Sequence, residues 1–339
     1  MNKIRICLVG AGRVARVHGF NLKTHVPLSE IVAVVDQNLN AAKNLARDLN
    51  ITRIFKDHQE ALKWGKFDAA VVTTPTFTHH RIVVDMARAG KHVFCEKPIS
   101  LTLEEADFMI EECKRKDVVF QIGFMRRFDP EFVQAKEKIK EGTIGEVMLV
   151  KSTGRGPGLP PEWALDIKRS GGMLAEVASH DFDCVMWLAG SKLEWVEAVG
   201  ANFKCPDLKI KYPDFYDTAV VVGTFDDGKI GVIDMSCPVD YGYDARVEIL
   251  GSHGVMFVGD VKGKDILFCT KEKGVNQPQY LSWRDRFREG YIAEMQHFIE
   301  CIQTNRSPQV TGEDGRRSLA CVLASNYSLK VGKKVKVNY

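Results

Sequence analysis

The chain has 339 residues, 45% hydrophobic and 27% charged, with a formal net charge of +3. That length suggests about two domains with sizeable cores. The charge is too small, and the basic residues too dispersed, to point to a nucleic-acid or membrane partner.

Nine cysteines (Cys7, Cys95, Cys113, Cys184, Cys205, Cys237, Cys269, Cys301 and Cys321) are scattered without a CxxC pair. They read as reduced core thiols in a reducing compartment, not as disulfides or a zinc site, and no metal is expected. No apolar run reaches the ~18 residues that a membrane span needs. The opening MNKIRICLVG enters a strand pattern at once and leaves no room for a signal peptide. The expected location is the cytoplasm.

Ile4 to Val9 form a β-rich apolar run, and Gly10-Ala11-Gly12-Arg13-Val14-Ala15 leads from it into a helical stretch ending near His25. This is GxGxxA between strand and helix. Gly10 permits the tight turn, Gly12 lets the backbone approach a pyrophosphate, and Ala15 keeps the helix near the sheet. The helix start at Arg13 and Val14 offers N–H groups and a positive dipole end to the anion. A second strand, Glu30 to Val35, ends in Asp36, where a carboxylate accepts from ribose hydroxyls and repels a 2′-phosphate. NAD is therefore expected ahead of NADP, with Arg13 and Lys43 as the features that speak for the latter.

Helices and strands then alternate: helix 40–49, strand 54–55, helix 57–64, strand 67–73, helix 78–89, strand 92–95, helix 103–116 and strand 118–123. That alternation predicts a parallel, doubly wound sheet with its ligand beyond the strand C-terminal ends. Thr73-Thr74-Pro75 and Cys95-Glu96-Lys97-Pro98 stand at two such ends. Lys97, between a strand end and a proline, is placed for its ammonium to polarise a substrate hydroxyl or carbonyl.

The pattern changes at Phe124-Met125-Arg126-Arg127-Phe128-Asp129-Pro130, so the domains are expected at 1–123 and 124–339. A helix from 130 to 140 and a strand from 146 to 152 lead to a Gly/Pro-rich loop, 154–161. The stretch GGMLAEVASHDFDCVMW, 171–187, reads as one helix. Glu176, His180 and Asp183 then fall at i, i+4 and i+7 on one face, a stripe suited to proton transfer and to holding a polar ligand. Five strand-like runs follow, at 195–203, 218–225, 228–236, 246–250 and 254–258, and predict an antiparallel sheet. Its outer face, with Val220, Val222, Ile230 and Val232, suits contact with another subunit. Helices at 287–303 and 315–330 close the chain.

GAGRVA, CEKP, GFMRRFDP and SGG…HDFD, in this order, resemble the Gfo/Idh/MocA oxidoreductase family, and within it the inositol dehydrogenases. The resemblance runs the whole length, including YGYDARVEILGSHG and FREGYIAEMQHFIECI. It implies a Rossmann domain followed by an α+β domain with a large, mostly antiparallel open sheet. It also implies NAD(P)-dependent hydride transfer at a polyol, sugar or keto-sugar carbon, and homodimers or homotetramers joined through that sheet. By the same resemblance the catalytic lysine falls on Lys97 and the catalytic histidine on His180. The acid one turn before falls on Glu176 and a substrate-binding acid on Asp183. The linker arginine falls on Arg126 or Arg127, and a sheet tyrosine on Tyr241 or Tyr243. One position departs from the pattern: the inositol enzymes usually carry Asp where this chain has Glu176, which bears on substrate identity more than on reaction type.

The leading expectation is reversible oxidation of a ring alcohol, with His180, oriented by Glu176 or Asp183, as proton acceptor. Two other readings share the fold: a glycosidase that oxidises its sugar transiently with tightly held NAD, and a non-enzymatic NAD-binding sensor, for which Lys97 and His180 would be unnecessary.

Overall fold

The computed structural model describes residues 2–263, 267–270 and 274–339. In the first part of the chain β1 (Ile4–Val9), α1 (Arg13–His25), β2 (Ser29–Val35), α2 (Leu39–Leu49), β3 (Ile54–Phe55) and α3 (His58–Trp64) alternate. They continue as β4 (Ala69–Val72), α4 (His79–Arg88), β5 (His92–Glu96), α5 (Leu103–Arg115) and β6 (Phe120–Gly123). All pairs are parallel and the sheet order is β3-β2-β1-β4-β5-β6, the doubly wound arrangement predicted.

The chain goes on through α6 (Pro130–Lys140), β7 (Val147–Arg155), the single turns α7 (Glu162–Leu165), α8 (Ile167–Ser170) and α9 (Met173–Glu176), and α10 (Ser179–Ala189). Then come β8 (Leu193–Ala201), α11 (Leu208–Lys211), β9 (Thr218–Phe225), β10 (Ile230–Ser236), β11 (Asp244–Gly251), β12 (Val255–Val258) and the pair β13 (Phe268–Thr270) and β14 (Gly274–Asn276). Helices α12 (Trp283–Arg286), α13 (Arg288–Thr304) and α14 (Gly312–Val331) and strand β15 (Val335–Lys336) end it. The second sheet has the order β12-β11-β7-β10-β9-β8-β15. Its pairs are antiparallel except β10 with β7, so the mostly antiparallel sheet expected is found with one parallel seam.

Two compact units emerge: 1–128 with 289–319, and 129–288 with 320–339. Helix α13, expected with the second half, lies in the first unit. Its Met295, Phe298, Ile299 and Cys301 are buried in one cluster with Ile6, Leu8, Ile31 and Phe94. The apolar stripe of that helix announces burial but not the surface that receives it.

In the second unit the helix expected over 171–187 is broken. Gly171 and Gly172 both have positive φ (82° and 85°), α9 ends at Glu176, and Val177-Ala178 form a turn before α10 starts. The restart puts Asp181 in the first turn of α10, where its carboxylate meets the positive end of the helix dipole. There its Oδ1 accepts from Ser152 Oγ of β7 at 2.5 Å. Gly154 on the same strand leaves the room: a Cβ there would lie 2.4 Å from Asp181 Oδ2.

Asp217 is a second buried carboxylate that holds its surroundings together. It accepts from the backbone N–H of Phe203 (2.9 Å), Lys204 (2.7 Å) and Cys205 (2.8 Å). Burial alone would raise it, but those donors and Thr218 outweigh burial and hold it below the usual carboxylate range. Asp217→Ala strands three donors, at ~1–3 kcal/mol each before relaxation, so a loss of about 3 kcal/mol in urea unfolding is expected. Because the folded value is lowered, this stabilisation is present above the unfolded value of about 3.9 and is lost as pH falls through the folded value. The difference between wild type and variant should therefore shrink on acidification. A variant as stable as wild type at neutral pH would show that the 203–205 loop holds without this carboxylate.

Candidate functional site

The nucleotide loop is built as the residue types required. Gly10 has φ +105°, and a Cβ on it would lie 2.7 Å from Thr73 Oγ1 and 3.0 Å from the Thr73 backbone. Only glycine fits between the β1 end and the β4 end. Gly12 is the opposite case, with no atom within 4 Å of a Cβ built on it. It caps α1 without any side-chain acceptor, and the first turn of that helix, beginning at Arg13 and Val14, has no acid. The space beside Gly12 at this helix start is open, the cradle that a pyrophosphate would fill. Asp36, at the end of β2, has one oxygen 2.7 Å from the Ala11 N–H and the other 2.7 Å from the Asn38 N–H. Each carboxylate oxygen keeps a second lone pair, so the group can still accept from ribose hydroxyls while its charge opposes a 2′-phosphate. These residues fit NAD.

At the neighbouring strand ends, Thr73 Oγ1 donates to Val9 O, and Thr78 Oγ1 donates to Pro75 O and can accept from Thr74 Oγ1 at 2.7 Å. A residue that the sequence reading did not single out links this turn to the one at Lys97. His79 is 1% exposed, with Nε2 2.8 Å from Thr74 O and Nδ1 2.9 Å from Pro98 O. Burial pushes its imidazole below the ordinary value, although both carbonyls favour the charged form. Lys97 itself is half-buried at the end of β5. Glu96 turns inward: its Oε1 is 2.6 Å from His18 Nε2, and its Oε2 accepts the Lys97 N–H at 3.2 Å.

Of the linker arginines, Arg126 and Arg127 are both buried. Arg127 Nη2 pairs with Asp314 Oδ1 at 3.1 Å, an oxygen that also takes Arg317 Nη2 at 2.7 Å. That gives Arg127 a holding role in the first unit.

In the second unit, His180 and Asp183 lie on α10, 7% and 1% exposed and three residues apart, so they share a helix face. Glu176 is half-buried and closes the preceding turn, α9. The single acid–His–acid stripe expected on one helix is thus replaced by a His180/Asp183 pair on α10 with Glu176 on a separate turn. Tyr241, on the approach to β11, has its hydroxyl in a charged network: it donates to Asp244 Oδ2 at 2.8 Å and accepts from Arg155 Nη1 at 3.3 Å. Arg155 also pairs with Asp234, and Arg246 with Asp244. Tyr243 packs edge-on against Phe287.

Two further residues lay outside the sequence reading, His18 and Glu294; with Glu96 they form a buried cluster in the first unit. Glu294 could have been noticed as an acid on the buried stripe of Tyr291, Met295 and Phe298, whereas nothing marked His18.

Residues 4–124 match the family described as "Oxidoreductase family, NAD-binding Rossmann fold", and residues 136–337 its "C-terminal alpha/beta domain", both Gfo/Idh/MocA. The chain is 37% identical to a myo-inositol 2-dehydrogenase of Thermotoga maritima over 98% of each sequence. It is 34% identical to the scyllo-inositol 2-dehydrogenase (NAD(+)) of Bacillus subtilis, over 99% of this chain and 97% of that one. A crystal structure of scyllo-inositol dehydrogenase from Lactobacillus casei with bound NAD(H) and scyllo-inositol superimposes with a TM-score of 0.92, at 26% identity and 99% coverage of both chains. With a glycine cradle and an acid at the end of β2 that fit NAD, and both family descriptions matched along its length, the chain belongs to the Gfo/Idh/MocA oxidoreductase family and is an NAD-dependent dehydrogenase.

Proposed function

We propose that the chain oxidises a ring secondary alcohol of a cyclic polyol or sugar, of the inositol type, reversibly to the ketone. The observation that carries this reading is full-length similarity to inositol 2-dehydrogenases, combined with the presence of Lys97 in CEKP and His180 in HDFD. Gly10, Gly12, Arg13, Val14 and Asp36 hold the dinucleotide, with Thr73, Thr74 and Pro75 at the adjoining strand end. When bound, NAD supplies the hydride acceptor. The ammonium of Lys97 donates a hydrogen bond to the reacting oxygen, and His180 accepts its proton. An imidazole suits this step because it titrates near neutral pH, and Asp183 beside it stabilises the imidazolium that forms. Arg126, buried in the linker motif, is assigned to the substrate, and Arg127 is engaged by Asp314. Tyr241 contributes through the Arg155–Asp244 network.

The test is a panel of inositol isomers, aldoses, sugar acids and glycosides with NAD+ and with NADP+, followed by nicotinamide absorbance. Net NADH formation with an inositol and NAD+ is expected. Cleavage of a glycoside with no net change in cofactor would instead establish the transient-oxidation reading, in which Glu176 is the additional acid/base. Binding of NADH with no turnover of any polyol would establish the sensor.

The same reading carries an assembly. On the outer face of the second sheet Val199 and Val220 are cross-strand partners, as are Val222 and Val232, and Val199 is 73% exposed. These are two valine pairs, each flanked in its row by a carboxylate, Asp234 beside Val220 and Glu197 beside Val222; exposed apolar pairs of this kind are covered in a homodimer or homotetramer. Light scattering that gives a monomer mass at micromolar concentration would remove this assignment. None of the nine cysteines is in a disulfide, and the setting assigned is a reducing cytoplasm. No helix among the described residues is long and apolar enough to cross a membrane.

A further inference from the structure

Beneath Lys97 the first unit contains a charged cluster that the reaction as proposed does not use. His18 of α1 and Glu294 of α13 are fully buried and Glu96 of β5 is 7% exposed, and one ligand-type atom from each lies within 4.8 Å of the others. The His18 ring is fixed by edge contacts with Phe94 (5.0 Å) and Tyr291 (5.6 Å), and Nε2 faces Glu96 Oε1 at 2.6 Å. Gly123 leaves space for the Glu96 carboxyl, which a Cβ there would approach to 3.1 Å. Gln121 of β6 donates to the backbone carbonyl of Glu294, whereas neither carboxyl oxygen of Glu294 has a hydrogen-bond partner among the described residues.

Three buried groups of this kind can hold a divalent cation or share protons. Tetrahedral coordination at ~2.1 Å keeps neighbouring ligand atoms about 3.4 Å apart. The 2.6 Å separation of His18 and Glu96 is instead that of a charge-assisted hydrogen bond. The single imidazole could balance at most one carboxylate, so a second ionised carboxylate would bury an uncompensated charge, and such a group takes up a proton instead. Burial first, and then the Glu96 carboxylate, push Glu294 well above the usual carboxylate range.

We propose that Glu294 stands as a neutral acid beside the hydrogen-bonded His18–Glu96 pair, and that the three form a positioning cluster for the turn that carries Lys97. Glu96 is the link: Oε1 is held by His18, and Oε2 receives the Lys97 backbone N–H. Glu294 is a positioning residue, acting through Glu96. The kinetic part of this inference rests on the role given to Lys97 above; the protonation part does not.

The experiment uses the full chain and compares wild type with Glu294→Gln and Glu294→Ala. Infrared spectra at neutral pH should show a protonated-carboxyl band in wild type, shifted in heavy water and absent from Glu294→Gln. With myo-inositol and NAD+ as the probe, Glu294→Gln, which keeps a neutral group of the same shape, should turn over within about threefold of wild type, and Glu294→Ala should lose at least about tenfold in kcat with little change in NADH affinity. A wild-type spectrum identical to that of Glu294→Gln overturns the proposal, as does one equivalent of a divalent metal in the purified protein. Full turnover by Glu294→Ala overturns the positioning role. If Lys97 itself proves dispensable, the infrared band still decides the state of Glu294.

Discussion

His180→Ala and Lys97→Ala are each expected to lower kcat by ~10²–10⁴-fold, the range typical of a lost acid–base group. In barrier terms this is about 2.7–5.4 kcal/mol. The two losses have different physical origins. Without His180 the alcohol must release its proton to water, although Asp183 stays buried on the same helix face. In the proposed reaction, without Lys97 the reacting oxygen loses the ammonium that hydrogen-bonds it. Because both interactions strengthen as the C–H bond breaks, they should appear in kcat and in kcat/KM and not in the affinity for NADH. Lys97→Arg is a sharper control than alanine: it keeps the charge but replaces a compact ammonium with a planar fork, so little activity should return. Turnover near wild type in either alanine variant would remove that residue from the reaction.

What the sequence made legible was whatever a single local rule dictates. GxGxxA at 10–15 could be read because one glycine needs positive φ and the other needs open space, and the structure shows both conditions at Gly10 and Gly12. The strand–helix alternation up to Gly123 could be read for the same reason, since turn residues and periodicity are local. The break at Val177-Ala178 could not: GGMLAEVASHDFDCVMW has no proline or internal glycine after Gly172, and the restart answers the needs of Asp181 and Ser152, 29 residues apart. Nor could the position of α13, whose stripe fits any apolar surface of the right width, be assigned to the parallel sheet from sequence alone. His79 and His18 escaped notice because their partners are carbonyls and a carboxylate brought to them by the fold, not by spacing in the chain.

The two glycines of the nucleotide loop are expected to fail in opposite ways when substituted, which makes them a direct test of the cofactor site. Gly10→Ala places a methyl 2.7 Å from Thr73 Oγ1 and 3.0 Å from backbone, at a φ of +105° that L-residues avoid. Strain and overpacking of this sort cost ~1–3 kcal/mol each, so the NAD-free variant should unfold at a clearly lower temperature. Gly12 has φ −79° and ψ −164°, an ordinary extended conformation, and a side chain there meets nothing. Gly12→Val should therefore retain its thermal midpoint apart from the ~1 kcal/mol or less separating glycine from a poor N-cap. Its side chain would occupy the space over the α1 N-terminus, so NADH affinity, followed by nicotinamide fluorescence, should fall by at least about tenfold, roughly 1.4 kcal/mol. A stable Gly12→Val protein that binds NADH as tightly as wild type would mean that the pyrophosphate does not cross this loop, and the roles given to Arg13, Val14 and Asp36 would fall with it.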